Sequence, residues 1–332
     1  MEISKRLKME NPEVIFLAPK DVMHHELRHE LGAICFGSLT GHSWEQIELP
    51  LYIKKNYPSS ILLNLCNTAP YFISDQVVTV HDVSYLVNKK WFSFPFRAWY
   101  SFLVPSIARK ALEVLTVSNF SKSEIIRLIK PIRPSKVHVV YNSAADIFKQ
   151  DIIEEKDNYI LSVASIDPRK NLGNLVEAFK RIQKKFPGLK LILAGSRHKA
   201  FPEEMTKLME NMDDLISFTG YISDEQLADL YKRARLFVYI SLYEGFGIPP
   251  LEAISSGCQV LLSDIPCHKE CYSSEVQYCD PMDILDISTK MDAMLKSTPS
   301  LSDLSQLKHF SKTYSWQRSA DAIQLILAPH LK

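Results

Sequence analysis

Ten short apolar runs alternate with helical patterns along this chain, and that alternation narrows its fold more than any other feature. The runs lie at 14–18, 61–65, 77–80, 114–117, 137–141, 160–164, 189–194, 215–218, 236–240 and 260–262. They are rich in Val, Ile and Leu, and several end at polar or glycine residues, as buried strands do. Helical spacing follows several of them, notably at 174–185 and 224–235. The expected fold is therefore α/β, with helices on both faces of parallel sheets. Ligands of such sheets bind beyond the carboxyl ends of the strands. At 332 residues, about two domains are expected. No apolar run approaches the ~20 residues of a spanning helix, and the polar, charged N-terminus is not that of a secretory leader.

Charge excludes some partners. A net charge of +1 gives no general pull toward nucleic acid. The balance is uneven, because residues 1–145 hold 17 Lys and Arg against 12 Asp and Glu. That mild excess suits an anionic surface or substrate, or simply a solvated basic face. The six cysteines form no C-x-x-C pair and no zinc spacing, and four flank apolar runs. They read as buried thiols in a reducing compartment.

The segment Glu244-Gly245-Phe246-Gly247-Ile248-Pro249-Pro250-Leu251-Glu252 follows the run at 236–240. Gly245 and Gly247 allow a tight turn and close approach of the backbone to a ligand. Pro249 suits the opening of a helix, whose first-turn amides and dipole would seat a phosphate. Glu244 then falls in the loop, and Glu252 about one turn inside the helix. Ionised carboxylates accept hydrogen bonds from vicinal hydroxyls. Phosphate between two such carboxylates describes a nucleotide-sugar site. The same spelling also serves an ordinary strand–turn–helix connection, and this segment alone does not separate the two.

More of the chain bears on that choice. The second half carries Ser162-Val163-Ala164-Ser165-Ile166-Asp167-Pro168-Arg169-Lys170-Asn171-Leu172, then Leu193-Ala194-Gly195, Phe218-Thr219-Gly220-Tyr221-Ile222 and Leu227-Ala228-Asp229-Leu230-Tyr231. Glu244 to Glu252, Tyr278-Cys279-Asp280-Pro281 and Tyr314-Ser315-Trp316 follow. In the first half stand Val78-Thr79-Val80-His81-Asp82, Val117-Ser118-Asn119-Phe120-Ser121 and Val139-Val140-Tyr141-Asn142. In this order the set resembles the family 4 retaining glycosyltransferases, of GT-B fold. The resemblance implies two Rossmann-like domains facing across a cleft. Boundaries are expected at 1–145 for an acceptor-side domain and 146–312 for a nucleotide-sugar domain, with a helix at 313–332 returning to the first.

The resemblance also implies roles. Glu244 contacts the transferred sugar near the reacting carbon, and Glu252 holds the ribose hydroxyls. Amides of Phe246 and Gly247, within the turn begun by Gly245, touch the sugar and diphosphate. Lys170, helped by Arg169, neutralises the leaving diphosphate. Gly195 closes a neighbouring strand end, Tyr221 and Ile222 read the base through main-chain groups, and His81 faces the sugar from the first domain. No divalent metal and no cofactor are expected; the nucleotide-sugar is a substrate. The flavour of 44–50 and 65–70 is similar to bacterial mannosyl- or rhamnosyltransferases of surface polysaccharide such as O-antigen. That implies a GDP- or dTDP-linked donor, a growing glycan or lipid-linked acceptor, and a cytoplasmic location.

Two departures from the pattern stand out. Ser165 lies near a position where many relatives carry arginine. The chain also opens at Met1-Glu2-Ile3-Ser4-Lys5-Arg6, which looks like the middle of the helix after the family's first strand and glycine-rich loop. An N-domain without that strand is expected to leave strand edges open. A weakly active or non-catalytic nucleotide-sugar-binding remnant is the alternative function. A third is a zinc hydrolase, because His25-Glu26-Leu27-Arg28-His29 spells H-E-x-x-H. Finally, residues 89–102 are basic and densely aromatic. They suit either a domain core or the inner membrane surface, where a lipid-linked acceptor would be met.

Overall fold

A computed structural model describes residues 1–21, 25–163, 167–195, 214–272, 276–297 and 299–331. The chain divides into two compact units. Unit 1 comprises Met1–Asn142 and Ser315–Lys332, and unit 2 comprises Ser143–Tyr314.

Unit 1 begins with helix α1 (Glu2–Glu10), strand β1 (Leu17–Pro19), helix α2 (His25–Leu31) and strand β2 (Ile34–Phe36). Helix α3 (Leu49–Asn56) precedes β3 (Leu62–Asn64) and β4 (Gln76–Thr79). Helix α4 (Phe94–Lys110), β5 (Glu113–Thr116), helix α5 (Asn119–Leu128) and β6 (Val137–Val139) follow. Every strand pair is parallel, but the strands fall into two sheets, β1-β2 and β3-β4-β5-β6. Leu17 of β1 and Leu62 of β3 pack against one cluster, Trp44, Leu49 and Ile53. Among the described residues no strand pairs with the second edge of either β1 or β3.

The terminal helix, Trp316–Leu327, belongs to unit 1. Its Ala320 and Ile323 are buried with Leu7 of α1, Val77 of β4, Leu115 of β5 and Val140. Trp316, at the start of the helix, is half-buried, and Ala320 and Ile323 anchor the helix because they fall on its inner face. Ser118 caps α5 by accepting from the Ser121 amide at 3.0 Å. Ser121 is not a second cap: its hydroxyl donates to the His81 carbonyl at 3.0 Å.

Unit 2 is a single parallel sheet. Its strands are β7 (Asp157–Val163), β8 (Lys190–Ala194), β9 (Ile216–Phe218), β10 (Ala234–Tyr239), β11 (Val260–Ser263) and β12 (Gln277–Cys279). The spatial order is β12-β11-β10-β7-β8-β9. Helices α6 (Leu172–Ile182), α7 (Asp224–Arg233), α8 (Ile248–Ser255), α9 (Pro266–Cys271) and α10 (Ile284–Lys296) connect and cover it. The inner face of α6 buries Leu175, Val176, Phe179 and Ile182 against Ile160, Leu191, Leu236 and Leu261 of the sheet. The order in which successive strands join the sheet reverses between β7 and β10. That is the topological switch point, where crossovers leave to opposite sides and a crevice opens at the strand ends.

All ten apolar runs contain a strand, with bounds shifted by up to three residues. Strands β2 and β12 were not expected. Neither carries an unbroken run of Val, Ile or Leu, since they read Ile34-Cys35-Phe36 and Gln277-Tyr278-Cys279.

Ile323→Ala tests the attachment of the terminal helix to unit 1. The side chain is 1% exposed, so truncation is expected to lower unfolding free energy by about 2–5 kcal/mol. A change within about 0.5 kcal/mol, as for a surface site, would take this helix off the core.

Candidate active site

The switch point brings two loops together. After β7 the chain makes a 3-10 turn, Pro168–Lys170. Asp167 caps it, accepting from the Arg169 amide at 2.9 Å, and also grips the Arg169 guanidinium at 2.7 Å. Asn171 then takes a left-handed conformation, φ 57°, which Asn tolerates better than most residues. Its side-chain amide donates to the carbonyls of Pro281 at 2.6 Å and Ile240 at 3.3 Å. The Leu242 amide donates to the Arg169 carbonyl at 2.7 Å. The loops after β7, β10 and β12 are thus stitched to one another.

Lys170 and Glu244 meet across that seam. The ammonium of Lys170 lies 2.6 Å from Glu244 Oε1 and 2.6 Å from the Tyr239 hydroxyl. Tyr239 in turn donates to Glu244 Oε1 at 2.9 Å. Burial pushes the Glu244 carboxyl up, but the Lys170 charge and hydrogen bond outweigh it, so the group is held below its usual value. Burial and the adjacent Glu244 charge drive the Tyr239 phenol far above its ordinary range, so it remains a donor. The result is an ionised pair at the mouth of the sheet with one neutral hydroxyl bridging it.

Glu252 has a different environment. It sits on α8, about one turn in, and accepts from the Tyr231 hydroxyl at 3.0 Å. Burial without a cation pushes its carboxyl up to about 7, despite that hydrogen bond. The two acids of this segment are thereby set apart in charge at neutral pH.

Gly247 joins them. It caps α8 with φ 91°, a conformation costly for any residue with a Cβ. A Cβ here would also stand 3.3 Å from His268 Nε2. The carbonyl of Gly247 accepts from the Tyr272 hydroxyl. No side chain caps α8. Its first turn nonetheless offers fewer amides than expected, because Pro249 and Pro250 carry none; the donors left there are the amides of Gly247 and Ile248.

His268, on α9, completes the floor. It is fully buried. Its Nδ1 lies 3.1 Å from the Ser263 carbonyl, and the Ser263 hydroxyl spends its own proton on the Ser241 carbonyl at 2.7 Å. Nδ1 therefore carries the hydrogen, and Nε2 is a bare lone pair, buried without a partner among the described residues. Burial holds the ring neutral, lowering its pKa to about 4 against the pull of Glu244.

The remaining expected residues lie as follows. The Phe246 ring is buried against Tyr314 at 5.2 Å, which leaves its main chain to face the turn. Gly195 forms an isolated bridge with Gly220 at the ends of β8 and β9. Tyr221 is 88% exposed, and Ile222 is half-buried beside it. His81 is in unit 1, where its Nε2 donates to the Leu65 carbonyl at 3.1 Å and burial lowers its pKa. Ser165 lies outside the described residues. So does the side chain of His25; α2 forms over that motif, and among the described residues no group of three His, Cys, Asp or Glu side chains could hold a metal. Sequence reading missed Tyr239, Asp167 and His268 as parts of the site. Tyr239 was counted as strand core, and no local pattern marks the other two. A cavity of about 560 Å³ opens elsewhere in unit 2, beside Lys156, Arg235 and Gln259 at the amino ends of the strands. It includes none of these residues.

A doubly wound parallel sheet with an acid–lysine pair at its switch point is an open α/β fold with its charged groups where such sheets bind their ligands. Residues 143–308 match the family described as "Glycosyl transferases group 1", and the chain belongs to that family. It is 31% identical over 213 residues to the O-antigen chain mannosyltransferase RfbU of Salmonella typhimurium, covering 64% of this chain and 58% of RfbU. The chain thus spans under two thirds of that relative's length. It is 29% identical over 278 residues to O-antigen chain mannosyltransferase B of Escherichia coli, covering 77% and 72%. The crystal structure of Anabaena HepE with UDP and glucose superposes with a TM-score of 0.77 at 14% identity, over 99% of this chain and 95% of HepE. Such likeness places the fold among the GT-B glycosyltransferases.

Two substitutions test the site's electrostatics. Lys170→Met strands the Glu244 carboxylate and is expected to cost about 3–5 kcal/mol, read by denaturant unfolding, with much of it regained on adding Glu244→Gln. For Glu252, a folded pKa of about 7 against an ordinary 4.5 means the folded state keeps a proton that the unfolded state has lost. Stability therefore falls as pH rises between those values. Glu252→Gln is expected to gain on wild type from pH 5 to pH 8; parallel pH profiles would refute the buried acid.

Proposed function

We propose that this chain is a retaining mannosyltransferase that moves mannose from a nucleotide-activated donor to a growing or lipid-linked surface polysaccharide. The observation that carries this is the Lys170–Glu244 pair, bridged by Tyr239, at the switch point of the group 1 domain. The named activities of RfbU and the Escherichia coli relative support mannose over rhamnose. The UDP held by HepE supports a nucleoside diphosphate as leaving group.

The chemistry follows from the charges. The donor exchanges partners with the resting pair: its diphosphate takes Lys170, and a sugar hydroxyl takes Glu244. Arg169 adds positive field nearby, while Gly247 and its neighbours offer amides to the phosphates. The bond from C1 to the phosphate oxygen breaks, and negative charge grows on the diphosphate, where Lys170 stabilises it. The acceptor hydroxyl forms its bond to C1 from the same face, and its proton passes to the departing phosphate oxygen. Glu252 receives the ribose hydroxyls; Tyr221 and Ile222 offer main-chain groups to the base. Gly195, beside them, leaves the phosphate side unobstructed, and His81 attends the sugar. Lysine and arginine supply the charge here, so the reaction is assigned no divalent metal or cofactor. A lipid-linked acceptor puts the reaction at the cytoplasmic face of the membrane.

Transfer from GDP-mannose to a lipid-linked acceptor is the direct assay. Lys170→Ala is expected to lower kcat about 10²–10³-fold, while calorimetric affinity for GDP also falls. The product anomer, read by NMR, is expected to match the donor's. Failure of the wild-type chain to bind any nucleoside diphosphate would sink the proposal; binding without turnover would leave the remnant reading in its place.

A further inference from the structure

Helix α4 has an outer face of unusual composition. An ordinary surface helix buries one stripe and turns polar groups outward. Helix α4 buries Leu103, Val104, Ile107 and Ala108 in the unit 1 core. Phe96, stacked on Tyr100 at 3.9 Å, is 37% exposed, and the other exposed positions from Phe94 to Phe102 are Phe94, Pro95, Ala98, Trp99 and Phe102, all apolar. Phe94 is 71% exposed, Phe102 58% and Trp99 41%. These residues recur at spacings of three to five and therefore share one stripe. Tyr71 stacks on Phe102 at 5.8 Å and meets Phe72, 81% exposed, edge-on at 5.1 Å. The aromatics of 89–102 are thus split. Tyr85 and Tyr100 pack inward, edge to face at 5.9 Å, and another row faces out.

Charge within this segment has one sign, with Glu45 the acidic neighbour, bound to His42 at 3.2 Å, whose ring packs 6.3 Å from Trp99. Between Asp82 and Glu113 the sequence holds Lys89, Lys90, Arg97, Arg109 and Lys110, and no acidic residue. Lys89 and Lys90 lie just before the helix, and Arg109 and Lys110 end it. Arg97 stands 5.4 Å over the Phe94 ring, so its stem lies along the stripe. Lys110 stands 3.5 Å over the Tyr71 ring. Cations therefore rim both ends of an exposed aromatic row.

We propose that this face of unit 1 is a docking surface for an anionic lipid bilayer. The helix would lie in the plane of the interface with Phe94, Trp99, Phe102 and Phe72 among the headgroups and upper acyl chains. Lys89, Lys90, Arg97 and Lys110 would meet lipid phosphates. Aromatic rings favour that depth, and several cations beside an apolar face are what anionic lipid attracts. A protein partner would call for polar and acidic specificity that the stripe lacks. Among the described residues no helix is long and apolar enough to cross a membrane, so the contact is made from one side. This deepens the proposed reaction by naming where a lipid-linked acceptor is met, and rests on it for that purpose alone.

The test is co-sedimentation of the full chain with vesicles, without donor or acceptor, so failure here is separate from failure of the transferase reading. Vesicles of phosphatidylcholine with 30% phosphatidylglycerol, at about physiological salt, are compared with phosphatidylcholine alone. Wild type is expected to bind the anionic vesicles at least tenfold more tightly. Phe94→Ser/Trp99→Ser/Phe102→Ser and, separately, Lys89→Glu/Lys90→Glu/Arg97→Glu are each expected to lose at least tenfold, with GDP affinity and circular dichroism unchanged. Brominated acyl chains are expected to quench wild-type tryptophan emission more than that of Trp99→Phe, which keeps the apolar surface. Equal binding by wild type and the serine variant, or equal binding to neutral vesicles, would overturn the proposal. So would a wild-type dimer that the serine variant dissolves while vesicle binding persists, which would assign the stripe to a second copy.

Discussion

One ion pair organises the strand ends of unit 2. Lys170 and Glu244 come from loops 74 residues apart and meet only because β7 and β10 are neighbours in the sheet. Two charges in a half-dry crevice cost desolvation energy that their attraction must offset. Tyr239 helps by satisfying a second lone pair of the carboxylate, and the hydrogen bonds of Asn171 and Leu242 hold the two loops in place. The pair is therefore held in one arrangement, each member oriented toward the other across the seam between two loops.

The two acids of the 244–252 segment show how environment divides like residues. Glu244 faces a lysine and stays ionised. Glu252, eight positions on, faces a phenol and is pushed up to about 7. Between them Gly247 keeps a conformation that only glycine takes readily, above a neutral histidine that allows close packing from beneath. Charge, shape and backbone amides thus converge on one turn.

Much of this was legible in the chain. Strand positions followed from apolar runs, because a buried parallel strand must be apolar on both faces. Glycine and proline marked the 244–252 turn through their own backbone limits. The resemblance carried Lys170, Glu244 and Glu252 onto their positions. Less was legible where partners are distant in sequence. Nothing near Tyr239 signals that its hydroxyl leaves the core for Glu244, and nothing near His268 signals that its ring lies beneath Gly247. The strands β2 and β12 were invisible because neither carries an unbroken aliphatic run. The aromatic run at 89–102 admitted a buried or an exposed reading; the fold turns Phe94, Trp99 and Phe102 outward because α4 has only one face against the core.

By itself the sequence determined which segments are strands and helices, and where the backbone must turn, since hydrophobic period and glycine or proline chemistry are local properties. It also carried the acids, lysine and glycines that the fold brings to the switch point. Only the tertiary structure decided which charges face each other, which carboxyl keeps its proton and which aromatic row meets solvent. Those depend on neighbours many residues away, and on the dielectric that their packing creates.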